Sequence, residues 1–88
     1  MGGTALHWAA FYGSLMAVNF LLAWNIFDIN RPDLEGLTPL HLGVMSGNPK
    51  VVMKLLLKGA NKTVVNFKHQ KPLDLAISLK NVSIEEML

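Results

Sequence analysis

The sequence has no cysteine, which excludes a disulfide framework, a thiolate zinc site and a cysteine nucleophile. Charge is scarce as well. Only 16% of residues are Asp, Glu, Lys or Arg, against about 25% in an ordinary soluble domain. Apolar residues reach 51%. Intrinsic disorder is thereby excluded, because it needs low hydrophobicity and high net charge. Part of that apolar surface is expected to meet something outside the chain. Long hydrophobic runs are missing too. The greasiest stretch, Leu15 to Phe27, includes Asn19 and Asn25. It falls short of the ~18 apolar residues of a span, so no membrane insertion of this segment is expected. No basic region followed by an apolar run opens the chain, so no signal peptide is read. Gly2 after Met1 begins like a myristoylation signal, but Leu6 stands where Ser or Thr is required. The Asn-x-Ser/Thr triplets at Asn61 and Asn81 matter only in a secreted chain.

What is present is a chain of 88 residues with a net charge of +2. That length makes one domain or a piece of one, and a core of this size is only marginally stabilising. Its organising feature is internal repetition. Thr4-Ala5-Leu6-His7-Trp8-Ala9 recurs, at an offset of thirty-four, as Thr38-Pro39-Leu40-His41-Leu42-Gly43. Gly13 then matches Gly47, and Leu21-Leu22 matches Leu55-Leu56, at the same offset. A third copy, Lys71-Pro72-Leu73-Asp74-Leu75-Ala76, follows at a further offset of thirty-three.

Each copy reads as two short helices. Pro39 and Pro72 suit a first helical position, where the missing N–H costs nothing. Thr4 and Thr38 precede that position and can cap with a hydroxyl. Gly13 and Gly47 suit a left-handed exit. Second helices are expected over Leu15–Asn25, Pro49–Lys58 and Val82–Leu88, with Val51, Val52, Leu55 and Leu56 forming one apolar stripe. The third copy departs from the second: Asn66 stands for Asp33, His69 for Gly36 and Lys80 for Gly47, with Asn81 expected to supply that last turn.

The period and the T-P-L-H-x-A signature resemble the ankyrin repeat family. Asp28-Ile29-Asn30 and Asp33-Leu34-Glu35-Gly36 are similar to that family's D-V-N and D-x-x-G pieces. The resemblance implies an all-α repeat solenoid over residues 1–88. It would comprise about two and a half helix-turn-helix repeats with β-turn fingers, near 3–35, 36–68 and 69–88.

The candidate chemistry is sparse. His7 and His41 occupy the motif position that, by resemblance, hydrogen-bonds backbone and stitches neighbouring repeats. His69 is expected to be solvated. No third ligand accompanies any of them, so no metal or cofactor is expected. Asp28 and Asp33 match turn positions whose oxygens accept backbone N–H groups, which leaves Glu35 to face a partner. No nucleophile–base pair or phosphate loop can be assembled, so no catalytic residues are expected. Lys50, Lys54 and Lys58 stack on one helical face. Aromatic residues do not interleave them as nucleic-acid binding would require, so the row is read as a solvated outer face.

By resemblance, the concave face that chooses partners would be lined by Trp8, Phe11, Tyr12, Leu34, Leu37, Met45 and Phe67. Aromatic and Met residues are the types enriched in interface cores. The expected function is a non-enzymatic module binding a protein or peptide in this groove, with no small-molecule substrate and no nucleic acid. Exposed end faces, with Leu6, Phe20, Ile84, Met87 and Leu88 as non-polar ends, would favour self-association or stacking on further repeats. The sequence also resembles the ankyrin segment of Asp-His-His-Cys palmitoyltransferases. That resemblance would make it a terminal segment recruiting substrate proteins to a catalytic domain outside this chain. Either reading places it inside the cell, in the cytoplasm or on the cytosolic face of a membrane protein.

Overall fold

The computed structural model describes residues 2–88; Met1, part of the expected 1–88 unit, lies outside the described residues. Among the described residues six helices follow in order: α1 (Ala5–Phe11), α2 (Leu15–Trp24), α3 (Pro39–Ser46), α4 (Pro49–Leu57), α5 (Pro72–Ser78) and α6 (Val82–Met87). Each odd helix packs on the even helix that follows it. The odd helices then stack as α1–α3–α5 and the even ones as α2–α4–α6, giving two layers. There is no strand among the described residues.

The helix boundaries follow local chemistry. Ser14, Asn48 and Asn81 cap α2, α4 and α6 by accepting the N–H groups of Ala17, Lys50 and Ile84. Asn81 is therefore a cap and not the expected turn residue; Lys80 takes the turn, at φ 57°. Asn25 ends α2 one residue early, in the left-handed conformation at φ 54°. Thr38 Oγ1 accepts the His41 N–H at 3.4 Å. In both repeats the threonine hydroxyl also lies beside the ring Nδ1 of that histidine, at 3.0 Å for Thr4 and His7 and 2.8 Å for Thr38 and His41.

The core lies between the layers. Leu6, Leu40, Leu42, Val44, Val51, Val52, Leu55 and Ile84 are fully enclosed. Burying each such side chain stabilises the fold by about 1.5–3 kcal/mol. The expectation that Leu6 and Ile84 stand on open ends is corrected by this. Leu6 lies on the side of α1 that joins the core cluster, and Ile84 repeats, one period on, the core position of Val51. Phe20 is exposed as expected, while Met87 and Leu88 are half-buried.

Two histidines tie successive repeats together. His7 Nδ1 accepts the Thr4 N–H at 3.0 Å, and its Nε2 lies 3.2 Å from the Leu37 carbonyl. His41 repeats this with the Thr38 N–H at 3.2 Å and the Gln70 carbonyl at 2.9 Å. A backbone N–H can only donate and a carbonyl can only accept, so each ring is the neutral Nε2–H tautomer. In the third copy Asp74 Oδ2 accepts the Lys71 N–H at 2.8 Å. An ionised carboxylate has no proton to pass to a carbonyl beyond, so the stitch stops there.

His69 and Lys80 carry side chains where the earlier copies have glycine. Both are left-handed, His69 at φ 61° and Lys80 at φ 57°, matching Gly36 at 78° and Gly47 at 77°. A Cβ in that region costs about 1–2 kcal/mol, partly offset by the greater unfolded-state entropy of glycine. His69→Gly and Lys80→Gly are each expected to stabilise the chain by about 0.5–1 kcal/mol. A urea midpoint unchanged or lowered in both variants would contradict this.

Candidate partner-binding groove

The fingers between repeats are built by side chains folding back on their own turns. Asp33 Oδ1 accepts the N–H groups of Glu35 (2.8 Å) and Leu37 (2.9 Å). The Asp33 and Gly36 N–H groups close the turn onto the carbonyls of Leu37 and Asp33. Asn66 does the same one repeat on, accepting from Lys68 at 2.9 Å and Gln70 at 3.0 Å. Its Nδ2 also donates to Gln70 Oε1 at 2.9 Å. Asp33 Oδ2 is buried with no hydrogen-bond partner among the described residues. The reason is local: Leu37 stands where the third copy has Gln70, so no side-chain amide or hydroxyl is offered at that position. Asp28, as expected, accepts the Asn30 N–H. Asn30 Oδ1 then accepts the Asn61 N–H at 2.7 Å, linking one connection to the next.

Adjacent fingers are joined by backbone. The Phe67 N–H donates to the Glu35 carbonyl at 3.1 Å. This bond places Leu34 and Phe67, equivalent positions on successive fingers, beside one another. They share a groove of about 380 Å³ with Leu37, Met45 and Leu75. Glu35, Asn66, Lys68 and Gln70 form its polar parts.

Four of the seven expected groove residues, Leu34, Leu37, Met45 and Phe67, are thus brought together. Leu34, Met45 and Phe67 are exposed. Leu37 is not a surface residue: it is buried in the core cluster and reaches the groove only where it lines the wall. Trp8, Phe11 and Tyr12 do not line that groove. They form a ring cluster on α1 and its C-cap, with Trp8 and Tyr12 stacked at 6.0 Å and Phe11 edge-on to both at 6.4 and 5.1 Å. Each such pair is worth about 0.5–1.5 kcal/mol beyond burial, which holds the exposed rings in one arrangement.

Leu75 lines the groove but was not anticipated from sequence. It is the third-copy equivalent of Leu42, which is in turn the second-copy equivalent of Trp8, so carrying that position forward through the repeat identifies it. The lysine row Lys50, Lys54 and Lys58 lies on α4 and its C-cap, away from this groove. Among the described residues no group of three or more His, Asp or Glu side chains is placed to hold a metal ion. No helix among them is long and apolar enough to cross a membrane.

Comparison with known proteins agrees with this architecture. The family model for ankyrin repeats (3 copies) matches residues 6–88. The human transient receptor potential cation channel subfamily A member 1 is 48% identical over 58 residues, covering 62% of this chain and 5% of that protein. Palmitoyltransferase AKR1 of Saccharomyces cerevisiae is 42% identical over 60 residues, covering 68% and 8% respectively. A solved chain from the complex of a predatory endopeptidase of Bdellovibrio bacteriovorus with an immunity protein superposes with a TM-score of 0.91. It is 32% identical, with 99% of this chain and 45% of that chain covered. The chain therefore spans a small part of these curated relatives. On the in-phase motifs, the two-layer stack and the family match over residues 6–88, the chain belongs to the ankyrin repeat family.

Proposed function

We propose that this chain is a non-catalytic module that binds a protein or peptide partner across its fingers and inner helices. Ankyrin repeats are in general protein-interaction modules, which supports the class of function. The observation that carries the site is the pairing of Leu34 and Phe67. Equivalent finger positions both present large apolar side chains to solvent and share one groove with Met45. A finger that served only as a connection would have no need of them. Neighbouring polar groups, among them Glu35 and Lys68, give the apolar floor a polar rim, the arrangement of protein interfaces.

Peptides enriched from a random display library against the purified chain provide the test. Alanine at Leu34, Met45 and Phe67 together is expected to weaken them about 10–100-fold, the usual loss when large apolar anchors are removed. Glutamine at Lys50, Lys54 and Lys58 is expected to change little beyond a salt-dependent on-rate. Peptides lost with the lysine triple at physiological salt but retained by the groove triple would move the site to the basic face.

A second reading is favoured by the palmitoyltransferases among the relatives. In it, the chain is the ankyrin segment of a membrane enzyme that recruits substrate proteins to a catalytic domain outside this chain. Apolar spans and an Asp-His-His-Cys motif encoded downstream of Leu88 in the same reading frame would support it. Their absence from the complete frame would remove it. In both readings the setting is intracellular, either cytoplasmic or on the cytosolic face of a membrane protein.

A further inference from the structure

The finger of the third copy differs in hydrogen-bonding character from that of the second. Asn66 stands for Asp33, Lys68 for Glu35 and Gln70 for Leu37. Each change replaces an acceptor-only or apolar side chain with one that can donate. Asn66, Lys68 and Gln70 all line the groove.

The bonds inside this finger fix which donors remain for a partner. Asn66 Oδ1 accepts the backbone N–H groups of Lys68 at 2.9 Å and Gln70 at 3.0 Å. Two backbone donors can meet only an oxygen, so the other terminal atom of Asn66 is Nδ2. Nδ2 donates, and the Gln70 atom it meets at 2.9 Å is therefore the acceptor Oε1. Gln70 Nε2 is left with both of its N–H groups. A carboxylate at position 66 would do the reverse. It would accept from Gln70 Nε2, turn the amide round and use one donor inside the finger. The turn itself tolerates a carboxylate, because Asp33 accepts the equivalent backbone N–H groups one repeat earlier. Lys68 is exposed, and it is the one cation among the described residues that line the groove. Neither its ammonium nor Gln70 Nε2 has a partner among the described residues.

We propose, resting on the groove reading above, that this site selects a peptide with an Asp or Glu carboxylate next to its large apolar anchor, Lys68 and the Gln70 amide donating to the carboxylate. The anchor lies on the floor formed by Leu34, Met45, Phe67 and Leu75. Charge complementarity decides the rest. A carboxylate only accepts, so it satisfies the ammonium and the amide together, and its bond to the ammonium is charge-assisted. A basic side chain would set cation against cation at Lys68. An apolar one would cover the Gln70 N–H groups without offering an acceptor.

Three peptide display libraries test this, each with a fixed central Leu between two Glu, two Gln or two Lys and random residues beyond. The Glu library is expected to give the tightest binders. For a synthetic peptide drawn from it, Lys68→Gln and Gln70→Leu are each expected to weaken binding about 5–30-fold by fluorescence anisotropy. Replacing the peptide's Glu residues by Gln should weaken it similarly, and by less in the Lys68→Gln chain than in wild type, because groups in contact are coupled. Asn66→Asp should weaken the Glu peptide at least as much while its Gln analogue loses far less, which separates loss of the donor from loss of the fold. Binders drawn equally from the Gln or Lys libraries, indifferent to Lys68→Gln yet weakened by alanine at Leu34, Met45 and Phe67, would overturn this selection and leave the groove standing. No binders from any library, or binders indifferent to the groove triple, would overturn both.

Discussion

Replacing His41 with alanine is expected to lower stability by about 2–4 kcal/mol, because two buried polar groups lose their partner at once. The Gln70 carbonyl loses the Nε2–H donor at 2.9 Å, and the Thr38 N–H loses its Nδ1 acceptor at 3.2 Å. His41 is fully enclosed, so water does not replace either bond without opening the packing between α3 and the third finger. Against a total of about 5–15 kcal/mol for a native domain, such a loss is a large fraction. The urea midpoint should fall with the slope unchanged, while His69→Ala should stay within about 0.5 kcal/mol, the range of surface changes. Equal effects at the two histidines would sink the stitching role. The same residue sets a pH dependence. Burial holds the His41 imidazole below its ordinary pKa of 6.5, outweighing the Gln70 carbonyl and the Asp33 charge, which favour the proton. The unfolded chain therefore binds more protons than the folded one as the solution is acidified. By linkage, this contribution to stability is complete above about pH 6.5 and is lost as pH falls toward the folded value. The difference in stability between wild type and His41→Ala should therefore shrink from about pH 7.5 to about pH 5, a range that brackets the free imidazole.

The helical pairs, their order and most of their ends were legible because each rests on local chemistry repeated in phase. Proline at a first turn, threonine before it and apolar residues spaced for one face all read directly from the chain, whereas the caps at Ser14, Asn48 and Asn81 did not. Left-handed His69 and Lys80 were legible as substitutions of glycine, though Asn81 competed with Lys80 for the turn. What settles that competition is the Asn81 side chain, already committed to the Ile84 N–H. Burial was harder to read. Leu37 and Leu34 stand close together on one finger, and only the turn closed by Asp33 decides that the first points into the core and the second out. Leu6 and Ile84 were misplaced because a terminal helix was equated with an open surface. A terminal helix still has an inner side, and its rotation is fixed by its own pair. The groove set was half legible for the same reason. Repeat positions name which residues can face outward, while the joining of Glu35 to Phe67 across the fingers determines which of them meet.

That junction also makes Gly36 the most demanding position in the finger. Gly36→Ala is expected to cost about 3 kcal/mol or more, from backbone strain and steric overlap together, and a control separates the two. Its φ of 78° is left-handed, where a Cβ costs about 1–2 kcal/mol. A Cβ there would also stand 2.8 Å from the Phe67 backbone nitrogen and 2.6 Å from Phe67 Cδ1. The ring can swing aside, but the nitrogen cannot move without lengthening its bond to the Glu35 carbonyl, the tie between the two fingers. Gly59 isolates the first cost. Its φ is 91°, and an added Cβ meets nothing within 4 Å. Gly59→Ala should therefore show that strain less the entropy offset, a net loss of about 0.5–1 kcal/mol. The excess at Gly36 measures how rigidly the fingers are joined. Because Phe67 is the residue displaced, Gly36→Ala should also weaken groove-bound peptides, while Gly59→Ala should leave their affinity unchanged under conditions where both variants are folded. Equal stability losses at the two glycines would mean that the fingers slide freely past one another. The groove between Leu34 and Phe67 would then not be a preformed surface.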